Sequence, residues 1–281
     1  MELAGLEPAT SWVRSVGDWG LRGTARDVEP ILRLPQSVGI PLVPPLLTTH
    51  APHAQSRAFS RRMAGWPAFL PRAFVRELQR VREIVPGIHT WSLFSNERGT
   101  AFNGFAVETS DGTVLVDPVD PAEEEWSSLD DLAPYVGVYV TNRNHSRAAA
   151  EFRSRYGTPV RIHGADAEQA EVEADETLDG GETVAGEIEL VGVPGKSPGE
   201  LALFVPGKRA LIVGDLVIGV SAGALSTYPE EALDDPDELR RSAANLLDLD
   251  FEALLLCDGE PFLREGKDAL RRFVEQQTAP S

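Results

Sequence analysis

The chain has 281 residues, of which 42% are hydrophobic, so it can bury a sizeable core in one large domain or two small ones. Its formal net charge of -18 argues against nucleic acid and anionic membranes as partners, because both select a basic surface. The chain lacks any continuous apolar stretch long enough to cross a membrane, and its single cysteine, Cys257, excludes an internal disulfide, which favours a cytoplasmic location.

The distribution of charge changes near Met63. Residues 1–62 contain seven arginines and five acidic residues, for a net charge of +2, whereas residues 63–281 contain 19 basic and 39 acidic residues, for a net charge of -20. Prolines at positions 30, 35, 41, 44 and 45 interrupt helices and central strands in the first part. We therefore interpret residues 1–62 as a disordered or non-native leader and residues 63–281 as the folded domain.

Strand and helix patterns alternate after Met63. The spacing of Phe74, Leu78 and Val81 predicts a helix over 71–84. The Asp111-Gly112 pair predicts a tight hairpin turn between two strands. In chain order, this half contains predicted strands at 88–94, 102–108 and 113–116, a helix at 121–132, a strand at 136–141, a helix at 146–156 and a strand at 160–163.

The second half of the chain repeats these patterns. It contains predicted strands at 187–193, 201–205, 210–213 and 253–257, and predicted helices at 237–247 and 265–276. Antiparallel hairpins mixed with strand–helix units argue against a doubly wound parallel sheet. The pattern favours an α/β (α+β) fold in which two sheets pack face to face and helices cover their outer surfaces.

Five segments carry a resemblance to a known family. They are Thr-Val-Leu-Val-Asp-Pro at 113–118, Val-Tyr-Val-Thr-Asn-Arg-Asn-His-Ser-Arg at 138–147, Val-Pro-Gly-Lys-Ser-Pro-Gly at 193–199, Ala-Leu-Ile-Val-Gly-Asp at 210–215 and Leu-Leu-Cys-Asp-Gly-Glu-Pro at 255–261. In their order and spacing they resemble the metallo-β-lactamase superfamily, particularly its glyoxalase II-like members, over roughly residues 84–273. The resemblance implies a four-layer αββα sandwich with a dinuclear zinc site.

The segments depart from the family pattern at the positions of its five zinc-binding histidines. These positions are occupied by Asn142, Asn144, Arg147, Lys196 and Asp258. Ser146 stands at the family's aspartate between them, whereas Asp117 and Asp215 stand at aspartates that the family also has. An amide oxygen is a poor zinc ligand, a lysine amine is normally protonated, and a guanidinium cannot bind a metal. We therefore expect a degenerate site without zinc.

The replacing residues suggest what fills the former metal site. Lys196 and Arg147 bring two positive charges, and Asp215 and Asp258 bring two negative charges. Buried charges must be paired, so we expect at least one of the two cations within salt-bridge distance of one of the two carboxylates. We also expect the substituted positions to converge at one edge of the sandwich.

His145 stands between the substituted positions and matches none of the family's ligands. We interpret it as a loop histidine bonded to the backbone, and keep open a role as a general base or a replacement metal ligand. With Asp215 and Asp258 it forms the set of candidate catalytic residues. Cys257 precedes Asp258 at a strand end, and we interpret it as a buried, inert thiol.

Two functions follow from this sequence. The first is a zinc-free binding or structural module, whose pocket of Asp117, Asn142, Asn144, Ser146, Arg147, Lys196, Asp215 and Asp258 takes a small anionic molecule. The second is a hydrolase of the thioester, lactone or phosphoester type. It would use no metal, or a hard ion such as Mg²⁺ or Mn²⁺, which oxygen-rich donor sets prefer.

Overall fold

The computed structural model describes residues 80–221 and 223–278. The leader predicted at 1–62 and most of the helix predicted at 71–84 lie outside this range. The described end of that helix is wrong, because Arg82–Val85 forms strand β1. It pairs with the next strand across a turn at Gly87, whose φ of 70° lies in the left-handed region, and Ile84 and Val85 pack against the central core.

The first sheet has seven strands in sequence order. After β1 come β2 (Ile88–Ser95), β3 (Thr100–Thr109), β4 (Gly112–Val116), β5 (Tyr135–Val140), β6 (Val160–His163) and β7 (Glu176–Leu178). Strands β1 to β4 form antiparallel hairpins, whereas β4 to β7 run parallel to one another.

The second half of the chain forms a second sheet and a separate hairpin. Its strands are β8 (Thr183–Val184), β9 (Ile188–Gly192), β10 (Leu201–Val205), β11 (Ala210–Val213), β12 (Ile218–Ser221), β13 (Ala224–Ser226) and β14 (Ala253–Leu256). The second sheet has five strands in the order β14-β11-β10-β9-β8, with β11 and β14 parallel and the others antiparallel. The hairpin consists of β12 and β13, which follow β11 in the chain.

Five α-helices lie in the described range. They are α1 (Trp126–Asp130), α2 (Ala149–Tyr156), α3 (Gly164–Ala167), α4 (Pro236–Asn245) and α5 (Gly266–Thr278). Helix α4 begins after Asp235, whose side chain accepts a hydrogen bond from the backbone of Glu238, and Pro236 suits the first helical position. Helix α2 begins later than the predicted residue 146, because Arg147 has a φ of 35° that no right-handed helix accepts. None of these helices is long and apolar enough to cross a membrane.

Three apolar clusters establish the layers. The central one joins both sheets, with Phe105 and Val116 from the first and Leu203 and Ile212 from the second. A second cluster packs α1 and α2 on the outer face of the first sheet, and a third packs α4 and α5 on the outer face of the second sheet. The predicted order of helix, sheet, sheet and helix is therefore confirmed.

Polar residues follow the carboxyl ends of four buried strands at one edge of this sandwich. Asp117 follows β4, Asn142 follows β5, Asp215 follows β11 and Asp258 follows β14. The turn between β9 and β10, which contains Lys196, reaches the same edge through its ion pair with Asp215. The candidate site is assembled here.

Candidate functional site

Asp117 organises the part of the site that belongs to the first sheet. Its Oδ1 accepts a hydrogen bond from the backbone N–H of Thr141 at 2.8 Å, and its Oδ2 accepts one from the Thr141 hydroxyl at 2.5 Å. Its Oδ2 also lies 2.6 Å from Nδ1 of His145. Burial acts to raise the pKa of Asp117, but the contact with His145 outweighs it and lowers that pKa. Asp117 is therefore a buried carboxylate.

His145 bridges the two sheets. While its Nδ1 faces Asp117, its Nε2 lies 3.1 Å from Oδ1 of Asp215, and the side chain is buried. Burial and the nearby Arg147 act to lower the pKa of His145, but the carboxylates of Asp215 and Asp117 outweigh them and raise it to about 10. A neutral imidazole has one N–H, so hydrogen bonds to carboxylates at both nitrogens require the imidazolium form.

Arg147 also approaches Nε2 of His145, with Nη2 at 3.0 Å. This contact would suit a neutral histidine, but Asp215 would then face a nitrogen lone pair. The same Nη2 donates to Oδ1 of Asp258, and Nη1 lies 3.3 Å from the carbonyl of Cys257 and 3.4 Å from that of Asn103. The guanidinium therefore does not need His145 as an acceptor. The protonated state of His145 leaves fewer polar groups without a hydrogen bond, because both carboxylates then face an N–H.

Asp258 is the carboxylate that binds Arg147. Its second oxygen accepts a hydrogen bond from the hydroxyl of Tyr228 at 2.8 Å. Burial acts to lower the pKa of Arg147, but the charges of Asp258 and Asp117 outweigh it and raise that pKa. The guanidinium lies 4.9 Å from the centre of the Phe102 ring, which favours a cation over its face.

Lys196 is the third cation, and its ion pair is the longest. Its Nζ lies 4.0 Å from Oδ2 of Asp215 and 5.5 Å from the centre of the Tyr228 ring. Although burial acts to raise the pKa of Asp215, the charges of His145 and Lys196 lower it. The predicted pairing of cations and carboxylates is confirmed in its geometry for both Lys196 and Arg147. We call the six residues Asp117, His145, Arg147, Lys196, Asp215 and Asp258 the charge cluster.

The loop after β5 explains which predicted residues join the charge cluster. Oδ1 of Asn142 accepts a hydrogen bond from the backbone of Asn144 at 2.8 Å, and the backbone N–H of His145 donates to the Asn142 carbonyl at 3.0 Å. This tight turn points His145 inward and leaves Asn144 exposed. Among the described residues, no hydrogen bond or ion pair joins the exposed side chain of Asn144 to the charge cluster, although its backbone lies in the loop at the same edge. Ser146 is buried, and its hydroxyl has no hydrogen-bond partner there.

The interpretation of His145 as a loop histidine bonded to the backbone is wrong, because its ring nitrogens contact side chains. Cys257 is buried as expected, and burial raises the pKa of its thiol well above the usual value.

Sequence reasoning missed three residues of the site. Asp166 is fully buried and accepts hydrogen bonds from the backbone of Arg143, the hydroxyl of Ser197 and the backbone of Gly199. Tyr228 closes the site over Asp258. Neither position shows a distinguishing local pattern in the sequence.

Glu200 is the third missed residue. Its sequence signal is an acidic residue directly before the apolar run of β10. Glu200 is 1% exposed, and no hydrogen bond of ordinary geometry reaches its carboxyl oxygens in the described part of the chain, although the backbone of Leu216 and Asp215 lies close enough to act to lower its pKa. Burial, and then the neighbouring Asp215, raise the pKa of Glu200 well above its usual range. The charge cluster beside Glu200 contains three positive and three negative groups.

Comparison with known proteins identifies the family. A sequence profile described as the metallo-beta-lactamase superfamily matches residues 81–277. The chain belongs to the metallo-beta-lactamase superfamily.

Several solved structures share this fold. The metallo-beta-lactamase from Erythrobacter litoralis with beta-mercaptoethanol in the active site is 17% identical, with a TM-score of 0.58 over 70% of this chain and 96% of that chain. The DIM-1 metallo-beta-lactamase is 18% identical, with a TM-score of 0.56 over 71% and 97%. TTHA1623, solved in a di-iron-bound form, is 25% identical, with a TM-score of 0.50 over 64% and 94%. The predicted metallo-β-lactamase type of sandwich is confirmed.

The metal centre implied by this fold needs free donor atoms. Two groups of side chains have ligand atoms within 4.8 Å of one another: Asp117, His145 and Cys257, and His145, Asp215 and Asp258. Both groups depend on His145, whose two nitrogens already face carboxylates, and Arg147 already binds Asp258. Arg147 and Lys196 stand where the family has histidines, and a guanidinium or a protonated amine cannot bind a metal. The residues present do not fit the family's zinc centre.

Proposed function

We propose that this chain is a metal-free member of the superfamily, which acts as a small-molecule binding or structural module and not as a metallohydrolase. One observation carries the proposal: the imidazolium of His145 lies between Asp117 and Asp215, where it binds a carboxylate of each sheet. Arg147 neutralises Asp258 in the same way. Cationic side chains thus neutralise the carboxylates that metal cations would otherwise neutralise.

The balance of charge supports this proposal. The three cations and three carboxylates of the charge cluster sum to zero, so a divalent cation would enter a neutral site whose carboxylates are already paired. The divalent cation would also approach three positively charged side chains. At an effective dielectric near 20, two like unit charges about 4 Å apart repel each other by roughly 4 kcal/mol. Displacement of these side chains would leave buried charges without partners.

The alternative is a hydrolase of the thioester, lactone or phosphoester type. It is favoured by the closeness of His145, Asp215 and Asp258, whose potential ligand atoms lie within 4.8 Å of one another. An oxygen-rich set of this kind suits Mg²⁺ or Mn²⁺ better than zinc. The di-iron-bound form of TTHA1623 is a second observation on this side.

Metal content distinguishes the two functions. The full chain is purified without chelator, and its metals are measured by elemental analysis and by native mass spectrometry. TTHA1623 purified in parallel is the positive control. We expect less than about a tenth of an equivalent of any transition metal, and no rise in thermal stability with added Mg²⁺ or Mn²⁺. Near-stoichiometric zinc, iron or manganese in the purified chain would overturn the proposal and favour the hydrolase.

A further inference from the structure

Lys196 differs from the other cations of the charge cluster in the use of its hydrogen-bond donors. Both nitrogens of His145 face carboxylates, and the guanidinium of Arg147 donates to Asp258 and approaches two backbone carbonyls. Within the described residues, the ammonium of Lys196 donates no hydrogen bond, since Oδ2 of Asp215 is 4.0 Å away. Its three N–H groups are available to another partner.

The surroundings of Lys196 make an additional acceptor favourable. The side chain is only 13% exposed, so water solvates the ammonium incompletely. The Tyr228 ring, 5.5 Å away, attracts a cation but offers no oxygen along its face. A charged donor that is largely removed from water without hydrogen bonds raises the free energy of the folded state. An acceptor that enters from solvent lowers it again.

The turn that contains Lys196 is held in place from two sides. Ser197 and Gly199 donate hydrogen bonds to the buried carboxylate of Asp166. The backbone of Gly195 packs against Leu239 so closely that a Cβ at Gly195 would lie 2.4 Å from the Leu239 Cα. These contacts hold the backbone of the turn, so the Lys196 side chain extends into the site from a fixed Cα.

We propose that Lys196 is the anion-binding residue of this site, and that a small oxyanion, a carboxylate or a phosphate, accepts hydrogen bonds from its ammonium. This assignment rests on the proposed function, because a metal at Asp215 would itself attract the anion. The charge cluster is neutral before binding, so a single ammonium supplies the attraction. We therefore expect half-saturation on the order of millimolar.

The test titrates the full chain with sodium acetate and, separately, with sodium phosphate, against sodium chloride of equal ionic strength. We expect a saturable rise of a few degrees in Tm and saturable NMR shifts of the amides of residues 195–199. Lys196→Met removes both effects, whereas Lys208→Met, in the turn between β10 and β11, retains them. A response to acetate alone identifies a carboxylate ligand, and a response to phosphate alone identifies a phosphate ligand.

Equal responses in wild type and Lys196→Met, or no saturable response in wild type, would overturn the assignment. If Lys196→Met does not fold, the NMR map of the wild type decides, and shifts confined to residues outside 195–199 contradict the proposal. Metal analysis of the same samples distinguishes a failure of the proposed function from a failure of the role assigned to Lys196. Anion binding that a chelator abolishes in a metal-containing sample overturns the proposed function as well, whereas a metal-free chain without anion binding overturns only the role of Lys196.

Discussion

Nε2 of His145 lies 3.1 Å from Oδ1 of Asp215, which joins a loop of the first sheet to a strand end of the second. Because Nδ1 of the same ring lies 2.6 Å from Asp117, the histidine is a charged bridge between two buried carboxylates. The stability of the domain should therefore depend on this side chain.

Replacement of His145 by asparagine should destabilise the domain strongly. The change removes the cation that the buried carboxylates Asp117 and Asp215 share. Loss of one member of a buried ion pair typically lowers the free energy of unfolding by about 3–5 kcal/mol. Urea unfolding at neutral pH measures the difference. His89→Asn is the matched control, since His89 pairs with the exposed Glu108 and its loss should cost less than about 1 kcal/mol. Equal losses for the two variants would contradict the bridging role.

The charged state of His145 predicts a loss of stability at alkaline pH. Its folded pKa of about 10 lies above the ordinary value of 6.5, so its contribution is fully present below about pH 6.5 and disappears as pH rises through 10. Within that window the wild type should lose up to about 1.4 kcal/mol per pH unit relative to His145→Asn. Urea unfolding of both proteins between pH 6 and pH 10 tests this. Parallel curves for the two proteins would mean that His145 is neutral in the fold.

Glu200 should produce a second pH dependence at lower pH. Its folded pKa is raised, so its contribution is fully present below about pH 4.5 and is lost as pH rises toward the folded pKa. Glu200→Gln keeps the shape of the neutral acid without an ionisable group, so it should remove this dependence and match or exceed the wild type at pH 8. Because the pKa of Glu125 is also raised, to about 7, both proteins are compared in a Glu125→Gln background between pH 4.5 and 6.5. An unchanged slope after Glu200→Gln would show that Glu200 is ionised.

Arg147 and Lys196 should differ in their effect on stability. Arg147 donates to Asp258 directly, whereas Lys196 lies 4.0 Å from Asp215, so Arg147→Ala should cost about 3–5 kcal/mol and Lys196→Ala only about 1–2 kcal/mol. Arg209→Ala is the control, because its pair with Asp250 is exposed and should be worth less than about 1 kcal/mol. Urea unfolding of the three variants orders them, and a larger loss for Lys196→Ala than for Arg147→Ala would contradict the ranking.

Sequence patterns predicted the layers because buried strands have a simple signal. Continuous apolar runs such as 210–213 and 253–256 are flanked by turns, and their polar ends identify one edge of the sandwich. The pairing of Lys196 and Arg147 with carboxylates followed from the family resemblance, which placed these residues in one site, together with charge balance within that site. These features depend on residue type and strand end, both of which the sequence displays directly.

The inward direction of residue 145 instead of residue 144 was beyond sequence reasoning. It depends on the turn that Asn142 closes and on the left-handed backbone of Arg147, and such geometry shifts a side chain by a whole position. Asp166 and Tyr228 escaped prediction for a different reason. Each acts through contacts with residues about 30 positions away in the chain, and no local pattern encodes those contacts.

The links of the charge cluster join residues that are 28, 70 and 111 positions apart in the chain. The two longer links join the first sheet to the second, so they require the sheets to dock, and we expect them to form late in folding. Interactions absent from the transition state act mainly on the rate of unfolding. These contacts should therefore act mainly on the unfolding rate, and under the proposed metal-free function the folded domain would keep its lifetime in a cell starved of transition metals.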